Sequence, residues 1–72
     1  MPEFDSASPT ARHIQSYIRE NRLVEIQMNT GETFSGHIVW QDGECICLAL
    51  KTQQKKVILW RQSLVYICQE PD

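Results

Sequence analysis

A mainly β chain with one N-terminal helix, folded as a strongly bent five-stranded antiparallel barrel, is what three observations on this sequence predict. Apolar residues recur at helical spacing from Ala11 to Ile18, and from Leu23 onward they alternate every second residue. Turn residues interrupt the alternation at short intervals, so no connection is left for a crossover helix. Gly36 falls inside an alternating run, where a residue without Cβ is useful only at a sharp bend or a close backbone approach.

Each element has its own signal. Ser8 reads as a helix N-cap with Pro9 pre-set at the first helical position. Ala11, Ile14, Tyr17 and Ile18 then form one face, opposite Arg12, His13, Gln15, Ser16 and Arg19. Asn21 suits a left-handed cap, and Arg22 complements the negative end of the helix dipole. Val24, Ile26 and Met28 alternate with Glu25, Gln27 and Asn29 as a half-buried first strand. The run Asn29, Thr30, Gly31, Glu32 supplies hairpin turn chemistry, and Phe34, Gly36, Ile38 and Trp40 carry a second strand. Asp42, Gly43 and Glu44 make another tight turn. Cys45–Leu50 is continuously apolar, as a strand covered on both faces is. A polar loop (51–55), a fourth strand (Lys56–Trp60), a short link at Arg61–Ser63 and a fifth strand (64–68) follow, and residues 69–72 are expected to fray. The organisation expected is a flexible arm at 1–7, one domain at 8–68 and a tail at 69–72.

The 72 residues, 42% hydrophobic and 22% charged, hold one small ordered domain, which excludes a multidomain enzyme. Seven basic against nine acidic side chains give a net charge of −2, so nucleic acid would have to be held by local patches. Cys45, Cys47 and Cys68 are odd in number, no signal-peptide pattern opens the chain, and no apolar run approaches the roughly 18 residues of a membrane span. A cytoplasmic protein is expected. Cys45 and Cys47 would share a strand face, but a zinc site needs four ligands and the second pair is missing; buried, inert thiols are the better reading, with no metal or other cofactor. His13 and His37 fall on polar faces with no nucleophile placed beside them, and turn chemistry accounts for Asp42 and Glu44, so no catalytic residue is assigned.

The fourth and fifth strands are apolar on both alternations: Val57 and Leu59 face one way, Ile58 and Trp60 the other. A chain of this size cannot cover both faces, and such edges are expected to pair with neighbouring copies in a closed ring.

Taken in order, the N-terminal helix, Val24-Glu25-Ile26 leading to Gly31, Phe34-Ser35-Gly36, Trp40-Gln41-Asp42 and Trp60-Arg61-Gln62 resemble the Hfq family of Sm-like (SH3-like) proteins over residues 9–68. The Trp-Gln-Asp run, Trp60 and the Phe4-Asp5 arm look most like its divergent cyanobacterial members. The resemblance implies a homohexameric ring in which strand four pairs with strand five of the next subunit. It also implies an RNA chaperone that acts in post-transcriptional regulation. A uridine site around the pore is implied at Trp60, Arg61 and Gln62, with Gln41 and Asp42 beside them; Gln62 stands where the family has His. The adenine-binding face maps to Gln27, Gly31, Glu32 and Phe34, and the basic rim is reduced to Arg19 and Arg22, with Glu20 between.

These departures lower the expected RNA affinity. The pore pocket lacks a stacking aromatic near Glu44 and Cys45, where base stacking is worth about 1–3 kcal/mol. The Glu32 carboxylate repels phosphate on the other face. Uridine-rich RNA is therefore expected to bind weakly, and better than adenine-rich RNA. The alternative is a scaffold ring that binds a protein partner and has largely left RNA.

Overall fold

The computed structural model describes residues 8–71, and the expected arm at 1–7 lies outside them. Helix α1 (Pro9–Arg19) starts where its capping residue predicts: Ser8 Oγ accepts the Ala11 N–H at 3.1 Å and Pro9 opens the first turn. Such a cap is worth about 1 kcal/mol. At the other end Asn21 takes φ 52°, Arg22 N–H donates to Tyr17 O at 3.0 Å and Asn21 N–H to Ile18 O at 3.2 Å. This paired reversal satisfies two carbonyls that the helix leaves open.

Five strands follow: β1 (Leu23–Met28), β2 (Thr33–Gln41), β3 (Cys45–Leu50), β4 (Lys56–Trp60) and β5 (Leu64–Gln69), with a 3-10 turn at Arg61–Ser63. They form one antiparallel sheet in the order β4-β3-β2-β1-β5. The β1–β2 hairpin turns through Gly31, whose φ of 93° is strained for any residue with a Cβ; a Cβ there would meet nothing within 4 Å, so backbone conformation and not packing calls for glycine. Strand β2 changes partner along its length, pairing with β1 over 33–37 and with β3 over 36–41, so that Gly36 and His37 belong to both ladders. A Cβ built on Gly36 would overlap the Ala49 carbonyl and stand 3.1 Å from Leu50 Cα. The expected close backbone approach is therefore real, and the register shift between Ile38 and Trp40 adds a bulge that turns the strand further.

Even-numbered residues of β1, and of β2 as far as Ile38, point inward. Val24, Ile26, Ile46 and Leu48 are fully buried, Ile14, Ile38 and Leu59 complete the cluster, and Tyr17, Ile18, Phe34 and Ile67 pack around it. Burying each large aliphatic contributes roughly 1.5–3 kcal/mol, so this cluster is the main source of stability.

Two expectations are corrected. The chain does not fray from Gln69: β5 includes that residue, and Glu70 N–H donates to Leu23 O at 3.0 Å while its carboxylate accepts Ser35 Oγ at 3.1 Å. The start of β1, alongside which β5 runs antiparallel, supplies the partner. His37 is half-buried rather than solvated, with Nδ1 3.1 Å from Arg22 O, because the chain leaving α1 passes over it. Cys45 and Cys47 are buried as expected, whereas Cys68 is exposed on the outer face of β5.

Candidate functional site

The turn from β2 to β3 is fastened by Asp42, whose Oδ1 accepts the N–H groups of Glu44 at 2.9 Å and Cys45 at 2.7 Å. These two backbone donors, with the nearby Arg61 charge adding less, hold the Asp42 carboxyl below the usual carboxylate range. The thiol of Cys45 is pushed up by burial first and by Asp42 and Glu44 next, which keeps it protonated and inert.

Arg61 follows β4 directly and folds back over this turn. Its backbone N–H donates to Glu44 O at 2.8 Å, its Nε to Asp42 O at 2.7 Å and its Nη2 to Gln41 Oε1 at 2.5 Å. Gln41 in turn donates from Nε2 to Ala11 O at 3.0 Å and to Gln15 Oε1 at 3.1 Å. A continuous hydrogen-bonded chain thus runs from α1 through the end of β2 to the start of the 3-10 turn. Desolvation pulls the Arg61 pKa down and Asp42 opposes it, but an arginine stays charged at neutral pH. The cation is oriented by its partners instead of swinging on a free stem.

Of the five residues expected at the pore, Gln41, Asp42 and Arg61 share this network, Trp60 adjoins it opposite Cys45 on β4 with 53% of its surface exposed, and Gln62 is exposed beyond it. An exposed indole next to a fixed guanidinium can stack a base and attract its phosphate. Sequence reasoning missed Gln15 and the Ala11 carbonyl, which position Gln41. Their helical spacing on α1 is visible in the sequence, but nothing there aims them at β2.

The other expected positions stand apart. Gln27, Gly31, Glu32 and Phe34 gather around the β1–β2 hairpin, where Glu32 accepts Thr30 Oγ1 at 3.3 Å and Phe34 packs against the core. On the outer sheet face Tyr66 donates its hydroxyl to Glu25, which raises the Tyr66 pKa. At the end of α1 Arg22 is paired with Glu20 at 2.9 Å, while Arg19 is exposed in the last helical turn.

A groove of about 490 Å³ runs between α1 and β5, lined on the helix by Ile14 and Tyr17 and on the strand by Leu64, Val65 and Ile67, with Arg61 at its margin. Among the described residues β4 and β5 are not paired with each other, so each leaves one edge of the sheet open. Ile58, Trp60, Val65 and Tyr66, the exposed large side chains there, lie on those two strands. Among the described residues no helix is long and apolar enough to cross a membrane.

Residues 8–69 match the family model described as Hfq related. The crystal structure of an Hfq protein from Anabaena sp. is similar at TM-score 0.77 and 29% identity, over 86% of this chain and 97% of that one. A structure of the pleiotropic translational regulator Hfq superposes at TM-score 0.78 over 83% of this chain and 97% of that one; its 13% identity makes this a likeness of fold. No curated protein matches the sequence.

Proposed function

The chain belongs to the Hfq-related family, and from that membership we propose that it is a ring-forming RNA-binding protein that regulates messages after transcription, in the cytoplasm and without catalysis. The observation that carries the proposal is the convergence of Gln41, Asp42, Trp60 and Arg61 at one end of the barrel, beside the two open edges through which copies would join. Pairing β4 of one copy with β5 of the next would satisfy both rows of backbone groups and cover Ile58 and Val65. Six copies, the number the family resemblance implies, would gather Arg61 and Trp60 around a common pore.

Uridine-rich RNA is the ligand this site suits best. Affinity is modest, because each subunit offers one aromatic and one cation, and because Arg22 is neutralised by Glu20. A scaffold ring for a protein partner is the second reading, favoured by the exposed Val39 and Trp40 near the β2 bulge, outside the strands that would join copies. Titrating the assembled protein with labelled oligouridine and oligoadenine tests the choice. Tighter oligouridine binding that Arg61→Lys largely keeps and Arg61→Gln loses supports the pore site. Equal or tighter oligoadenine binding, or indifference to Arg61→Gln, removes the pore site, and failure of both strands to bind turns the reading to the scaffold.

A further inference from the structure

The β3–β4 loop was legible in the sequence only as a polar connection, yet Lys51, Lys55 and Lys56 place three of the chain's seven basic side chains within six residues. The rest of the chain then holds four basic against nine acidic side chains. All three lysines are exposed, and among the described residues none has a carboxylate partner, in contrast to Arg22 with Glu20. Backbone bonds give the loop a shape: Lys51 N–H donates to Ser35 O at 2.9 Å and Leu50 N–H to Lys55 O at 3.1 Å. Folded in this way, residues 49–56 surround a hollow of about 670 Å³. An adjoining hollow of about 520 Å³ shares Leu50, Lys51, Thr52, Gln53 and Lys55 and adds Phe34 and Val57.

Ammonium groups without counter-charges, set among Thr and Gln side chains that bond phosphate and sugar oxygens, are what a phosphodiester strand recognises. Residues 51–56 include no apolar side chain to insert among acyl chains, which favours a nucleic acid over a lipid surface. Lys56 and Arg61 stand at opposite ends of β4, roughly 16 Å apart at about 3.3 Å per residue. The loop is therefore separate from the Trp60–Arg61 site.

We propose that the β3–β4 loop is a second, sequence-independent contact for single-stranded RNA, holding its phosphates through Lys51, Lys55 and Lys56. The proposal rests on the RNA-binding reading and locates most of the attraction away from the pore. It is tested on the full chain by fluorescence anisotropy with labelled oligouridine and oligoadenine across a potassium chloride series. Replacing all three lysines by Gln is expected to weaken both strands alike, on the order of tenfold or more at low salt, and to flatten the log–log salt slope by about 2, since each single-strand phosphate contact contributes about 0.7. Mass and melting temperature, measured on the same variant, should not change. In the unaltered protein, adding oligouridine should shift the backbone amide resonances of residues 51–56. An unchanged slope and affinity in the lysine variant, or resonances that stay in place, overturns the loop contact. So does binding to phosphatidylserine vesicles, lost in the variant, when neither RNA binds. Should Arg61→Gln have no effect while the lysine variant loses binding, the loop stands and the pore reading falls; the reverse result removes the loop alone.

Discussion

The interior of this barrel and its two open edges are built from the same kinds of side chain in opposite circumstances. Ile46 on β3 is fully buried, whereas Ile58, one strand away on β4 and opposite Cys47, keeps 57% of its surface in contact with solvent. Val24 is fully buried on β1, and Val65 on the neighbouring β5 is 59% exposed. Within the sheet each inner strand has two hydrogen-bonded neighbours, while β4 and β5 have one each. The contrast teaches that apolar character alone does not locate a core. A residue on an inner strand stabilises the subunit, and the same residue on an edge strand is available to a neighbouring copy.

Gly36→Val attacks the interior hardest. Its side chain would have to enter the backbone of β3 at Ala49, which cannot move aside without breaking a ladder. A loss of at least about 3 kcal/mol is expected, the upper end for overpacking, and a marginal domain of this size should then show no cooperative urea transition. A normal transition would mean that the two halves of β2 are not pinned at that point. Ile46→Ala is next, at about 3 kcal/mol, from lost transfer energy and the cavity left in a fully buried site. Its melting temperature should fall while its mass in sedimentation stays that of the unaltered protein.

The edges should respond the other way. Ile58→Asp changes an exposed side chain, so the isolated subunit should lose no more than about 0.5 kcal/mol, yet sedimentation should show monomers in place of rings. Rings that survive this change would place the contact between copies elsewhere. The smallest effect is expected at Asp42, on the turn that joins interior to edge. Because its folded pKa lies below the unfolded value near 3.9, its contribution is complete above that pH and is lost as pH falls through the folded pKa. Asp42→Asn should therefore be less stable than the unaltered chain at neutral pH, with the difference narrowing below about pH 4. Parallel stability profiles would show that the carboxylate's charge is not what fastens the turn.

The sequence by itself determined the elements. Ser8 and Asn21 bound the helix, the change of period at Leu23 starts the sheet, and Asn29 to Glu32 and Asp42 to Glu44 turn it, because caps, periodicity and turns are decided within a few residues. Gly36 announced the close approach, and the doubly apolar β4 and β5 announced the open edges. Only the tertiary structure decided which polar groups meet. Arg61 reaches Gln41 across 20 positions, Ser35 reaches Glu70 across 35, and His37 reaches the Arg22 carbonyl across 15. The fixed guanidinium, the anchored end of β5 and the half-buried imidazole all depend on such pairs. So does the exposure of the three lysines, which pair with no carboxylate among the described residues. Hydrogen bonds and charge pairing act through space over a few ångströms, and only the folded sheet sets those distances.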